Sequence, residues 1–178
     1  MEKGADITVA NSNGRTPVYS AARHGHLEVV KFLVEKGADI TLADNDGWTP
    51  VIAASSNGHL QIVEELEAMP GSDLTATDHL GRSALFLSSR SGKAHVVQRL
   101  LSNERVDPSS STPLFAAVAN GHFDVVKLLI AHHTSSLNYT YFDRSLMWWA
   151  RRGGNFNVAQ LLLRHANQPS NSVDSDIP

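Results

Sequence analysis

Apolar positions along this chain fall into paired runs, a short one and a longer one, each closed by glycine. In residues 14–39 the short run is Val18-Tyr19-Ser20-Ala21-Ala22, set between Thr16-Pro17 and Gly25. The longer run holds Leu27, Val30, Phe32, Leu33 and Val34, and Gly37 ends it. Apolar residues three and four apart form one face of an amphipathic helix. Thr16 offers a capping oxygen. Pro17 sits in a first turn, where its missing N–H costs nothing. Gly25 and Gly37 fit helix ends. The stretch predicts a turn, a short helix, a break, a longer helix and a second break. Ala21 and Ala22 are small enough to let neighbouring helices approach closely.

The same order then returns. Thr16, Thr49, Ser83, Thr112 and Ser145 open successive units, 33, 34, 29 and 33 residues apart. The interior glycines keep the same beat at Gly25, Gly58, Gly92, Gly121 and Gly154. The small positions recur as Ala53-Ala54, Ser88-Ser89 and Ala116-Ala117. The longer runs recur as Leu60, Ile62, Val63 and Leu66, then Val96, Val97, Leu100 and Leu101. The fourth is Phe123, Val125, Val126, Leu128, Leu129 and Ile130, with Leu128 expected mid-stripe. The fifth is Phe156, Val158, Leu161, Leu162 and Leu163.

A period near 33 residues on helix–turn–helix units is a repeat signature. With the Thr-Pro openings and Thr112-Pro113-Leu114, residues 11 to about 167 resemble five ankyrin repeats. The resemblance implies an all-α solenoid of stacked helix pairs with short β-hairpin or loop fingers. The repeats are expected at 11–43, 44–77, 78–106, 107–138 and 139–167. Residues 168–178 are polar and read as a disordered tail.

Departures from the pattern carry information. Glu2-Lys3-Gly4-Ala5-Asp6-Ile7-Thr8 nearly duplicates Glu35-Lys36-Gly37-Ala38-Asp39-Ile40-Thr41. Residues 1–10 therefore read as the remnant of a preceding repeat, with an uncapped stacking face at repeat one. Self-association through that face is one expectation. Met69-Pro70-Gly71-Ser72 replaces the usual end of repeat two, and Ala84 stands where other openings have proline. The join at 105–112 is short, so the fourth finger should be stunted. Repeat five opens on Ser145-Leu146-Met147-Trp148-Trp149-Ala150 and reads as a carboxy-terminal cap. One of its two tryptophans must be core.

Composition narrows the function classes. The 178 residues carry a net charge of −3 and no cysteine. Nucleic-acid binders usually show a strongly basic domain, so that class is not expected. Thiolate chemistry and a disulfide frame are excluded. No apolar run approaches the ~20 residues of a bilayer span, and the start is polar. An intracellular setting, cytoplasmic or nuclear, is expected, and Asn138-Tyr139-Thr140 reads as a chance sequon.

Candidate chemistry is sparse. His26, His59 and His122 each follow an interior glycine, one per repeat. Repeats stacked roughly 10 Å apart cannot bring them to one ion at ~2 Å; they should hold the turn. His132-His133 face different ways. The recurring Thr residues read as caps, and no phosphate-loop, dinucleotide or nucleophile-elbow motif occurs. Neither enzyme activity, cofactor nor metal is expected.

Binding is the remaining class. Arginines recur just before the opening Thr or Ser and just before the interior glycine. In the layout that the resemblance implies, these positions line the concave face, on fingers and inner helices. They read as solvated charge, as a surface for an acidic partner or, least of all, for nucleic acid. Trp48 takes the finger position of Arg15 and Arg82, and an exposed aromatic there fits an interface anchor. The alternative is that it folds onto its own finger. The resemblance implies protein–protein recognition by Arg15, Arg23, His24, Asp46, Trp48, Asn57, His79, Arg82, Arg90, Arg144 and Arg152. The expected partner is a protein, acidic with an apolar anchor, rather than a membrane. A segment of a larger receptor or scaffold, or an inhibitory subunit of an enzyme, stays open.

Overall fold

The computed structural model describes residues 6–107, 111–132 and 140–166. The expectations for the tail, for the sequon, for His133 and Tyr139 and for most of the amino-terminal remnant lie outside them. Ten helices form two layers among the described residues. The first layer stacks α1 (Pro17–His24), α3 (Pro50–Asn57), α5 (Ala84–Arg90), α7 (Ser111–Ala119) and α9 (Leu146–Arg152), each packed on the next. The second stacks α2 (Leu27–Glu35), α4 (Leu60–Glu67), α6 (Ala94–Leu101), α8 (Phe123–His132) and α10 (Phe156–Ala166) in the same order. The result is the expected all-α solenoid. No helix of the described residues is long and apolar enough to cross a membrane.

Local chemistry sets the helix starts. The side-chain oxygens of Thr16, Thr49, Ser83 and Ser145 accept the N–H groups of Tyr19, Ile52, Phe86 and Trp148. Each satisfies one of the donors a helix start leaves open. In repeat four α7 spans Ser111–Ala119, with Thr112 and Pro113 in its first turn.

The core runs continuously between the layers, through Ala22, Val30, Ile52, Val63, Val97, Leu100, Leu114, Val126, Leu129 and Ala150. Several stripe residues are not where the periodicity puts them: Phe123, Phe156 and Leu163 are exposed, as is Phe32, and Leu128 is only partly covered. Phe32 is more than half exposed, with the Lys36 ammonium 5.7 Å from its ring. Leu128 is half-buried, and Leu129 beside it is the buried residue of α8. Trp149 packs on the core and meets Phe115 edge-to-face at 5.3 Å, which makes it the core tryptophan of α9.

Junctions between repeats share one device. The His59 ring lies against the Arg23 carbonyl at 3.1 Å, and the His122 ring against the Arg90 carbonyl at 2.9 Å. Asn155 Nδ2 donates to the Val118 carbonyl at 3.2 Å. These residues tie α4, α8 and α10 to the preceding repeats instead of acting only within their own turn. Gly25 makes room for the first ring: a Cβ there would stand 2.7 Å from His59 Cε1.

Fingers take two forms. In repeat five a true hairpin forms, β1 (Thr140–Tyr141) paired antiparallel with β2 (Arg144–Ser145). Its turn residues Phe142 and Asp143 both have positive φ, 49° and 57°. The first three fingers are tight turns, each closed by one side chain. Asn11 Oδ1 accepts from the N–H groups of Asn13 and Arg15. Asp44 Oδ1 does so from Asp46 and Trp48, and Asp78 Oδ1 from Leu80 and Arg82.

Candidate functional site

A groove of about 460 Å³ lies where the first three fingers meet α1. Arg15, Tyr19, Arg23, Asp44, Asp46, Trp48, His79, Leu80 and Arg82 line it. Six residues singled out from the sequence thus come together: Arg15, Arg23, Asp46, Trp48, His79 and Arg82. The repeat geometry explains this, because equivalent finger positions of successive repeats stack in a row. The His79 N–H donates to the Asp46 carbonyl at 3.1 Å and seats the third finger on the second.

The groove is organised by two buried carboxylates that the sequence reading passed over as turn residues. Asp78 Oδ2 accepts from Trp48 Nε1 at 3.1 Å and from Arg82 Nε at 2.7 Å. Arg82 Nη2 reaches the same oxygen at 2.6 Å. Asp44 Oδ2 accepts from Arg15 Nε at 3.3 Å. Burial pushes both acids up, but donated hydrogen bonds outweigh it and hold both below the usual carboxylate range. For Asp44 the Trp48 N–H leads, and for Asp78 the Arg82 side chain. Burial, with the Asp44 carboxylate close by, raises the Tyr19 phenol.

This geometry corrects the reading of the finger row. Trp48 is not an exposed anchor; it is half-buried against the core and tied by its indole N–H to the next finger. The Arg82 guanidinium lies 6.0 Å from its ring. Arg15 and Arg82 are not isolated charges, because Asp44 and Asp78 already pair with them. Arg15 also lies 5.6 Å over the Tyr19 ring. Trp48→Ala is therefore expected to cost about 2 kcal/mol, through lost packing and the loss of one hydrogen bond to Asp78. A fall in Tm of several degrees checks it, and an unchanged Tm would return Trp48 to the surface.

The remaining sequence candidates lie elsewhere. His24 meets the Ser20 carbonyl at 2.9 Å and stacks on His26. Asn57 Nδ2 donates to the Ala53 carbonyl at 2.8 Å. Arg90 is exposed at the end of α5, with its carbonyl against His122. Arg144 and Arg152 sit together on repeat five, on either side of Trp148 in sequence. Their guanidinium carbons are 5.2 and 5.3 Å from its ring.

Sequence reasoning missed Leu80, the groove's exposed apolar residue. It stands 75% exposed at the tip of the third finger. Aligning the finger turns reveals it. Asn13 and Asp46 hold the equivalent positions, and only the third turn puts an aliphatic side chain there.

The comparisons with known proteins match this architecture. A family model described as Ankyrin repeats (3 copies) matches residues 1–78 and 67–143. The Ankyrin repeat and KH domain-containing protein mask-1 of Caenorhabditis elegans is 28% identical over 181 residues. That similarity covers 99% of this chain but only 5% of the relative's length. With the family matches spanning most of its length and its helix pairs stacked in register, the chain belongs to the ankyrin-repeat family.

Proposed function

We propose that this chain is a protein-binding module and that the face formed by the first three fingers and α1 engages a partner protein. The observation that carries the reading is Leu80, held exposed at the rim of a preorganised polar groove. An apolar side chain kept in water by a rigid turn fits an interface anchor, ringed by polar contacts that exclude solvent. The family's repeats are generally interaction modules and typically non-enzymatic, which supports the same reading. The Asp44–Arg15 and Asp78–Arg82 pairs neutralise the groove, so its partner need not be acidic there. Leu80→Ser tests the proposal. Partners captured from a lysate by the wild-type chain, and identified by mass spectrometry, should be lost with the variant while Tm stays within about 1 °C. Capture of the same set by both would overturn the assignment.

A second reading draws on the relative: the chain aligns with about 5% of a much longer protein. That favours a segment within a larger scaffold, where the same face would position one component of an assembly.

A further inference from the structure

Three of the five repeats carry the same spacing from the finger into the first-layer helix: arginine, an aromatic four residues on, and arginine four residues further. It reads Arg15-Tyr19-Arg23, Arg82-Phe86-Arg90 and Arg144-Trp148-Arg152. The aromatic and the second arginine, four apart on the helix, share one face, and the leading arginine stands on the finger before it. In repeats one and three the leading arginine is neutralised. Asp44 holds Arg15 and Asp78 holds Arg82. Repeat five differs: the position four before Arg144, from which Asp78 holds Arg82 in repeat three, is Thr140, the first residue of β1. Among the described residues, no carboxylate lies within ion-pair distance of Arg144 or Arg152.

The geometry around these two arginines is built. Both guanidiniums lie against the Trp148 ring, which itself meets Trp149 edge-on at 5.0 Å. Cation–π contact holds an arginine in place without using up its N–H donors. Phe142, at the tip of the adjoining hairpin, is 82% exposed. Its φ of 49° is costly for a bulky aromatic residue. Among the described residues, repeat five therefore presents an exposed apolar ring at its finger tip and two guanidiniums, stacked on Trp148, that have no ion-pair partner.

Resting on the reading of the chain as a protein-binding module, we propose that Arg144, Trp148, Arg152 and Phe142 form a second contact site, for an acidic protein segment. Carboxylates of the segment would take forked hydrogen bonds from the two guanidiniums, and an apolar side chain would pack on Phe142. This places the recognition of acidic groups in repeat five, away from the row of Arg15, Trp48 and Arg82. A peptide fits better than a nucleic acid. The site offers two guanidiniums and an apolar ring, whereas a phosphate backbone is met by an extended basic surface, and the chain is acidic overall.

The test uses fluorescence anisotropy with the whole chain. The first probe is a fluorescein-labelled twelve-residue peptide of glutamates flanking one leucine. The second is the same peptide with glutamine for glutamate, and the third is a twelve-nucleotide oligothymidylate. The glutamate peptide should bind, in a salt-sensitive way, and the glutamine peptide at least about tenfold more weakly. R144Q/R152Q should weaken the glutamate peptide by about tenfold or more. K127Q/R164Q, which removes two charges from the second layer, should leave it within about twofold. Phe142→Ser, outside the packed core, should weaken it several-fold, and guards against a double variant that folds poorly. Equal binding by wild type and by R144Q/R152Q with an unchanged melt would overturn the proposal. So would tighter binding of the oligothymidylate than of the peptide, or no binding of the peptide at all. Any of these leaves the Leu80 experiment standing, so the two assignments fail separately.

Discussion

Asp78→Ala should destabilise the array by about 3–5 kcal/mol, the range for breaking a buried ion pair by removing one partner. Its side chain is fully shielded from solvent. Truncation leaves the Trp48 indole N–H and the Arg82 guanidinium without their acceptor, together with the Leu80 and Arg82 backbone N–H groups. Urea unfolding followed by tryptophan fluorescence and by circular dichroism measures the loss. A cost below about 1 kcal/mol would mean that water replaces the carboxylate at all these donors.

The same carboxylates set the response to acid. Asp44 and Asp78 have folded-state pKa values below the unfolded value of about 3.9. A depressed folded pKa adds stability that is fully present above the unfolded value, and it is lost as pH falls through the folded one. The Tm should therefore be flat from pH 7 to about 5 and decline below about 4. Asp78→Asn should start lower and decline less steeply. If its acid limb has the wild-type slope, the titration lies elsewhere.

Leu129→Ala is the second large effect, at about 2–5 kcal/mol from the cavity it leaves. Leu129 is 1% exposed in α8, which packs between α6 and α10. In a quasi-one-dimensional array each repeat is held by its neighbours. A cavity in repeat four should then loosen 111–166 while 6–107 stays protected. Amide exchange resolves the two segments, and a uniform rise in exchange, or an unchanged melt, would show that the array unfolds as one unit.

The repeat count, the helix starts and the two-layer stack were all legible in the sequence, because caps, glycines and period act locally. The exceptions are instructive. A 3.6-residue period identifies the apolar face but not where its edge falls, so Phe32 and Leu128 read as core although their neighbours leave them partly open. Trp48 misled for a different reason. Its hydrogen-bond acceptor, Asp78, lies thirty residues on, and only stacked fingers bring the two together. Arg15 and Arg82 likewise read as free because Asp44 and Asp78 look like ordinary turn residues. Leu80 and Thr140 were visible in principle, each as the odd residue when the fingers are aligned.

The junctions also make the repeats units of exchange. Arg15 meets Asp44 of the following finger, and Trp48 meets Asp78 of the next. Both contacts join a finger to the aspartate that opens its successor. If residues 44–77 were excised, Asp78 would stand in the place of Asp44 and face Arg15. Lys93, whose side chain already lies over Gly58, would come to lie over Gly25, where His59 now rests. The finger contact and the packing over the interior glycine would thus be of kinds the array already makes, while Lys31, which now meets Glu65, would face Arg99. Such a chain can gain or lose a repeat by unequal recombination without first inventing an interface, and selection is left to act on the finger tips.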